Sequence, residues 1–196
     1  MLILVRHGRT EANAGGRLQG RLDLPLDALG RAQAAALAGA PALASASRVV
    51  CSPLLRTRQT AEALGLPTTV DERWVELDYG TWDGLPLADV PRDVWAAWRA
   101  DLAFRPPQGE TLVELAERVR SACAELREEA AERDVVVVSH VSPIKAATAW
   151  ALGVDDEVSW RLFLSPASLS IVATAGPAPS VRCFNVTGHL RDVSES

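Results

Sequence analysis

The chain has 196 residues, 48% of them hydrophobic and 23% charged, which suits one sizeable core, is short for two ordinary domains and leaves no stretch polar enough to stay disordered. A formal net charge of -5 argues against a surface that binds nucleic acid broadly, because such a surface needs a basic excess. No run approaches the roughly 20 apolar residues that cross a bilayer, and Cys51, Cys123 and Cys183 form no CxxC pair, so no membrane association, reduced buried cysteines and a cytoplasmic location are expected.

Taken in chain order, residues 2–5 form an apolar run too short for a signal peptide. They read as a buried strand that ends directly in Arg6-His7. Gly15-Gly16 marks a turn. Residues 28–38 are rich in Ala and Leu and follow Asp27, a natural helix cap. Residues 49–51 read as a second strand running into Ser52-Pro53, an N-cap and first helical residue for a helix carrying Arg56. Residues 85–109 hold Pro86, Pro91, Pro106 and Pro107 with Trp95 and Trp98. They read as a lid over the active site or as a wandering connection. Trp95 and Trp98 either close over a leaving group or pack this segment onto the sheet.

Thr111 with Glu114 forms a capping box. Leu112, Leu115, Val119, Ala122 and Leu126 then recur at helical spacing. Residues 135–138 read as a buried strand ending in Ser139-His140, after which Ser142-Pro143 repeats the Ser-Pro helix start. Beyond residue 160, the runs 162–164, 169–172 and 181–184 read as strands between Pro-, Ser- and Gly-rich turns that extend the sheet, with room for an antiparallel member. Uninterrupted β-branched runs suit a parallel sheet covered on both faces. Their alternation with helices predicts a three-layer α/β/α sandwich with a mostly parallel central sheet. A single domain spanning 1–196 follows, since there is no repeat or low-complexity linker.

Ligands of open α/β sheets sit outside the carboxyl ends of the strands. His7 and His140, two of three histidines, fall at that edge. Arg6, Arg56 and two helix starts join them, and the anion that takes so many donors is phosphate. Each residue alone has a plainer reading: a hydrogen-bonded structural histidine, or a surface arginine. The general preference for arginine, with Lys145 the only lysine, is compositional. His189 reads as a packing or surface residue. No HExxH, carboxylate cluster, P-loop or GxGxxG occurs, so no metal and no cofactor are expected.

These residues resemble the histidine phosphatase superfamily, also called the phosphoglycerate-mutase-like family. The resemblance is carried by Leu4-Val5-Arg6-His7-Gly8-Arg9-Thr10-Glu11-Ala12-Asn13, then Gln19-Gly20, Asp23, Pro25-Leu26, Gly30 and Gln33. It continues in Ser52-Pro53-Leu54-Leu55-Arg56 with Thr60-Ala61, in Glu76 and Tyr79-Gly80-Thr81-Trp82-Asp83-Gly84, in Gly109-Glu110-Thr111 and in Val138-Ser139-His140. The resemblance implies that His7 is a nucleophile that becomes phosphorylated. Arg6, Arg56 and His140 would clamp the phosphoryl oxygens, and Glu76 would pass a proton to the leaving oxygen. It also implies that Thr10, Asn13, Gln19, Gly20 and Val141 line the phosphate or substrate mouth. Arg9 stands where an acidic residue is common and Val141 where Gly is usual, which bears on substrate fit rather than on the chemistry.

Within the family, the stretch Leu77-Asp78-Tyr79-Gly80 replaces the Arg-His-Tyr-Gly of the mutases. This favours hydrolysis of a small-molecule phosphomonoester over mutase activity, and a complete set of reacting groups disfavours a non-catalytic phosphate-binding module. The segment around Glu76 resembles α-ribazole phosphatases. The segment 138–145, with 165–170, is similar to the acid phosphatase domain of actinobacterial ribonuclease H fusions. A homodimer is compatible with the sequence, but no pattern demands one.

Overall fold

The computed structural model describes residues 1–193. Its strands are β1 (Leu2–Arg6), β2 (Ala46–Cys51), β3 (Thr68–Val70), β4 (Asp134–Ser139), β5 (Leu169–Ala173) and β6 (Ser180–Val186). They form a sheet in the order β3-β2-β4-β1-β5-β6. The first four are mutually parallel, and β5 runs antiparallel to both β1 and β6. The helices are α1 (Glu11–Ala14), α2 (Ala28–Ala38), α3 (Leu55–Ala63), α4 (Arg92–Ala100), α5 (Leu112–Glu132) and α6 (Val141–Leu152).

Side chains alternate across a strand, and here both faces are apolar. Leu2, Leu4, Val135 and Val137 pack with Leu115, Val119 and Ile144 of α5 and α6. Ile3, Val5, Val136 and Val138 pack on the opposite side with Leu37 of α2 and Ala61 of α3. Two helical layers therefore enclose the sheet, giving the expected three-layer α/β/α sandwich. The caps are also as read: Asp27 accepts from Gly30 N at the start of α2, and Thr111 and Glu114 close a reciprocal box on α5.

Four local expectations are corrected. Residues 162–164 are not a strand. The Leu164 carbonyl accepts from Arg6, and Ser165 N donates to Asn185, so these backbone groups are engaged with side chains. Ser52-Pro53 does not open a helix. α3 starts at Leu55, whose N–H is capped by the distant carboxylate of Asp23 at 2.6 Å. Ser142-Pro143 is likewise not the start of α6, which begins at Val141 directly after His140. Proline fits there because first-turn N–H groups lack an intrahelical acceptor. Finally, Cys183 is only partly buried, whereas Cys51 and Cys123 are buried.

Residues 85–109 contain α4 and are tied to an earlier loop. Leu18 N donates to Leu85 O at 2.8 Å and Leu87 N to Gly16 O at 2.9 Å. Trp98 is buried in the core and stacks on Trp95, with ring centroids 5.5 Å apart.

Candidate active site

β1 and β4 are adjacent, with Arg6 opposite Ser139. The next residue on each is a histidine. His7 N donates to Ser139 O at 3.0 Å, continuing the ladder beyond β1, and the two imidazole rings lie 5.1 Å apart. Both are buried, His7 at 3% exposure and His140 at 0%.

The hydrogen bonds fix which ring nitrogens carry protons. His7 Nδ1 lies 2.7 Å from Gly8 O. A carbonyl only accepts, so Nδ1 donates and Nε2 keeps its lone pair. Arg56 Nε lies 3.2 Å from His140 Nδ1. A guanidinium only donates, so His140 carries its proton on Nε2 and gives it to Ser52 Oγ at 2.7 Å. Burial, then Arg56 and Arg6, hold the His7 pKa well below 6.5. Burial, then Arg56, His7, Arg6 and Arg118, do the same for His140. Both imidazoles are therefore neutral near pH 7.

Arg56 is fully buried on α3. Its Nη1 donates to Leu22 O at 2.9 Å and its Nη2 to Gly20 O at 2.8 Å. Arg6 Nη1 donates to Leu164 O, and its buried Nε has no partner among the described residues. Burial lowers both guanidinium pKa values to about 10, so each stays charged. The site thus places two fixed cations around two neutral imidazoles.

Glu76 is 3% exposed and lies against the start of α6. Its carboxylate accepts from Val141 N at 3.0 Å, Ser142 N at 3.2 Å and Leu77 N at 2.7 Å. The free amides of this helix start therefore hold Glu76, whereas the sequence reading gave them to phosphate. Val141 supplies one of them as the first helical residue, a conformation open to a β-branched side chain, so the departure from Gly strains nothing here.

Three of the residues expected at the mouth, Thr10, Asn13 and Gln19, form a group of their own. Thr10 Oγ1 donates to Gln19 Oε1 at 2.6 Å, and Asn13 Nδ2 approaches the same oxygen at 3.5 Å. The link to the histidines runs through the Gln19 and Gly20 carbonyls, which accept from Arg56. Gln19 Nε2 is buried and has no partner among the described residues. Arg9 Nε pairs with Asp27 at 2.8 Å. His189, expected at the surface or in packing, is partly buried with Nε2 2.9 Å from Ala167 O.

Sequence reasoning missed Arg118. It donates to the carbonyls of Arg73, Val75 and Glu76 and pairs with Glu110 at 2.7 Å. The three carbonyls it gathers belong to residues more than 40 positions away in the chain, and an arginine on the surface-like face of α5 gave no signal. Ser52 and Asp23 stand within the sequence motifs, which do not mark them as the acceptor for His140 and the cap of α3. Among the described residues no group of three or more His, Cys, Asp or Glu is placed to hold a metal ion, and no helix is long and apolar enough to cross a membrane.

A bifunctional protein of Mycobacterium tuberculosis is 38% identical over 198 residues, covering 96% of this chain and 54% of that protein. The chain thus spans about half the length of this relative. A glucosyl-3-phosphoglycerate phosphatase of Mycolicibacterium vanbaalenii is 36% identical over 89% of this chain and 84% of its own length. The solved structure of a mycobacterial glucosyl-3-phosphoglycerate phosphatase in complex with VO3 superposes with a TM-score of 0.86 at 33% identity, covering 95% of this chain and 98% of the other. These relatives do not single out the α-ribazole phosphatases or ribonuclease H fusions to which two segments pointed. Residues 2–187 match the histidine phosphatase superfamily (branch 1), and with His7, Arg6, Arg56, Glu76 and His140 at one sheet edge, the chain belongs to that superfamily.

Proposed function

We propose that the protein hydrolyses small-molecule phosphomonoesters through a phosphorylated His7. The observation that carries this reading is the His7 ring: Nδ1 is committed to Gly8 O, the ring is neutral, and the lone pair on Nε2 is available among two guanidinium groups. In the first step Nε2 bonds to phosphorus as the bond to the ester oxygen breaks. Glu76, which enters this step as the neutral acid, gives that oxygen its proton and becomes the carboxylate, and the alcohol leaves. In the second step water bonds to phosphorus, the N–P bond breaks, and the Glu76 carboxylate takes the proton from water. Phosphoryl transfer depends on position and charge more than on covalent help. Arg6 and Arg56 supply the charge, and the unpartnered N–H groups of Arg6 Nε and Gln19 Nε2 are buried donors that an anion would satisfy.

A small ester, rather than nucleic acid, fits the net charge of -5. Glucosyl-3-phosphoglycerate and α-ribazole 5'-phosphate are two such esters, and a panel ranked by kcat/KM separates them. The reading is tested by phosphate release from p-nitrophenyl phosphate in the presence of EDTA. Turnover by the parent protein and a loss of at least about a thousandfold in His7→Asn are expected. Parent-like turnover by His7→Asn would overturn it.

A further inference from the structure

Beside the reacting groups lies a cavity of about 150 Å³, walled chiefly by Trp95, Trp98, Trp160, Leu112 and Leu115. An apolar cavity of about this volume takes one benzene-sized ring. Its position relative to the chemistry is set by Val141 and Ser142. Both line it, and their amides hold the Glu76 carboxylate. A group that protonates the leaving oxygen has to sit next to it, so whatever that oxygen carries is directed toward this cavity.

One charged side chain in the wall stands apart. Lys145, one turn along α6 from Val141, lines the cavity and has no hydrogen bond or ion pair among the described residues. Asp156, which also lines it, pairs with Arg120 through Oδ2, while its buried Oδ1 has no hydrogen-bond partner among the described residues. The Glu76 carboxylate acts on this half-buried ammonium through space but makes no hydrogen bond to it, so its N–H donors remain open to an anion on a bound ligand.

Resting on the phosphatase reading above, we propose that the favoured ester has a leaving group with a single aromatic or similarly flat apolar ring, seated among Trp95, Trp98 and Trp160, and an anionic substituent that pairs with Lys145. Trp95 and Trp98 then do both things open to them: they pack α4 onto the core and wall the leaving-group site. Among the residues that line the cavity Lys145 is the one cation, so selection by ring and selection by anion are separable.

The test compares three alkyl esters whose leaving alcohols have similar intrinsic reactivity: ethyl phosphate, benzyl phosphate and 4-carboxybenzyl phosphate. Burying the ring raises kcat/KM for benzyl over ethyl phosphate about tenfold or more, and the carboxylate raises it further, by about fivefold or more. Lys145→Met abolishes the advantage of the carboxylated over the plain benzyl ester, and Lys145→Arg, which keeps the charge, retains most of it. Equal kcat/KM for ethyl and benzyl phosphate, or a carboxylate advantage that survives in Lys145→Met, overturns the proposal while leaving the phosphatase reading intact. Failure of all three esters to release phosphate under conditions where p-nitrophenyl phosphate also fails removes the phosphatase reading itself.

Discussion

At the scale of single residues, the protonation of His7 and His140 couples the site to the stability of the fold. Both pKa values lie well below 6.5 in the folded protein, chiefly because the rings are buried and then because Arg56 is near. An unfolded chain restores the ordinary value of about 6.5. Below that pH the unfolded state binds protons that the folded state refuses, so stability is full above pH 6.5 and is lost as pH falls. Each histidine contributes a slope approaching about 1.4 kcal/mol per pH unit once the pH is below its unfolded value. His189, its pKa lowered by burial, acts in the same direction. Urea unfolding measured from pH 7.5 to pH 5 should show this loss. Replacing His140 with Gln should shallow the acid limb, and an unchanged limb would mean that His140 is protonated in the fold.

At the scale of elements, two devices fix the catalytic edge. Arg118 reaches from α5 to three successive parts of the loop bearing Glu76, with Glu110 orienting its guanidinium. A lysine keeps the charge but cannot span these acceptors. Arg118→Lys should therefore lower kcat about tenfold with little change in KM, since it displaces Glu76, the proposed proton donor, rather than the anion site. A rise in KM with kcat unchanged would place Arg118 in substrate binding instead. The second device is the contact between α2 and the loop after His7. A Cβ on Gly30 would collide with the Arg9 carbonyl, and one on Gly8 with the Gly30 carbonyl. These are backbone atoms, which cannot step aside as a side chain tip can. Gly30→Ala should cost about 2 kcal/mol or more, read as a lower midpoint in urea.

At the scale of the whole molecule, the helices and strands were legible where a local signal existed. The β-branched runs of β1 and β4 announced strands buried on both faces, and Asp27 and Thr111 marked the starts of α2 and α5. Residues 162–164 misled because three apolar residues carry too little period to tell a strand from an ordered turn, and Arg6 claims the Leu164 carbonyl. Ser52-Pro53 misled because the Ser52 hydroxyl faces His140, while the cap of α3 comes from Asp23, 32 positions away. The residues that the structure gathers at this sheet edge, His7, Arg6, Arg56, Glu76 and His140, could be named from the sequence, because strand ends and motif order mark them. What no local pattern holds is strand order. That β1 lies next to β4, with Arg6 opposite Ser139, is what sets two histidine rings side by side. Nor could the sequence say which ring nitrogen is free, since that follows from the position of one carbonyl oxygen, Gly8 O.

The account turns on that free nitrogen. Rapid quenching of the protein during turnover of a phosphate ester labelled at phosphorus, followed by alkaline digestion, should recover label on His7 at Nε2, stable to base and lost in acid. Phosphate release with no labelled protein at any time, or label on Nδ1 or on another residue, would contradict it.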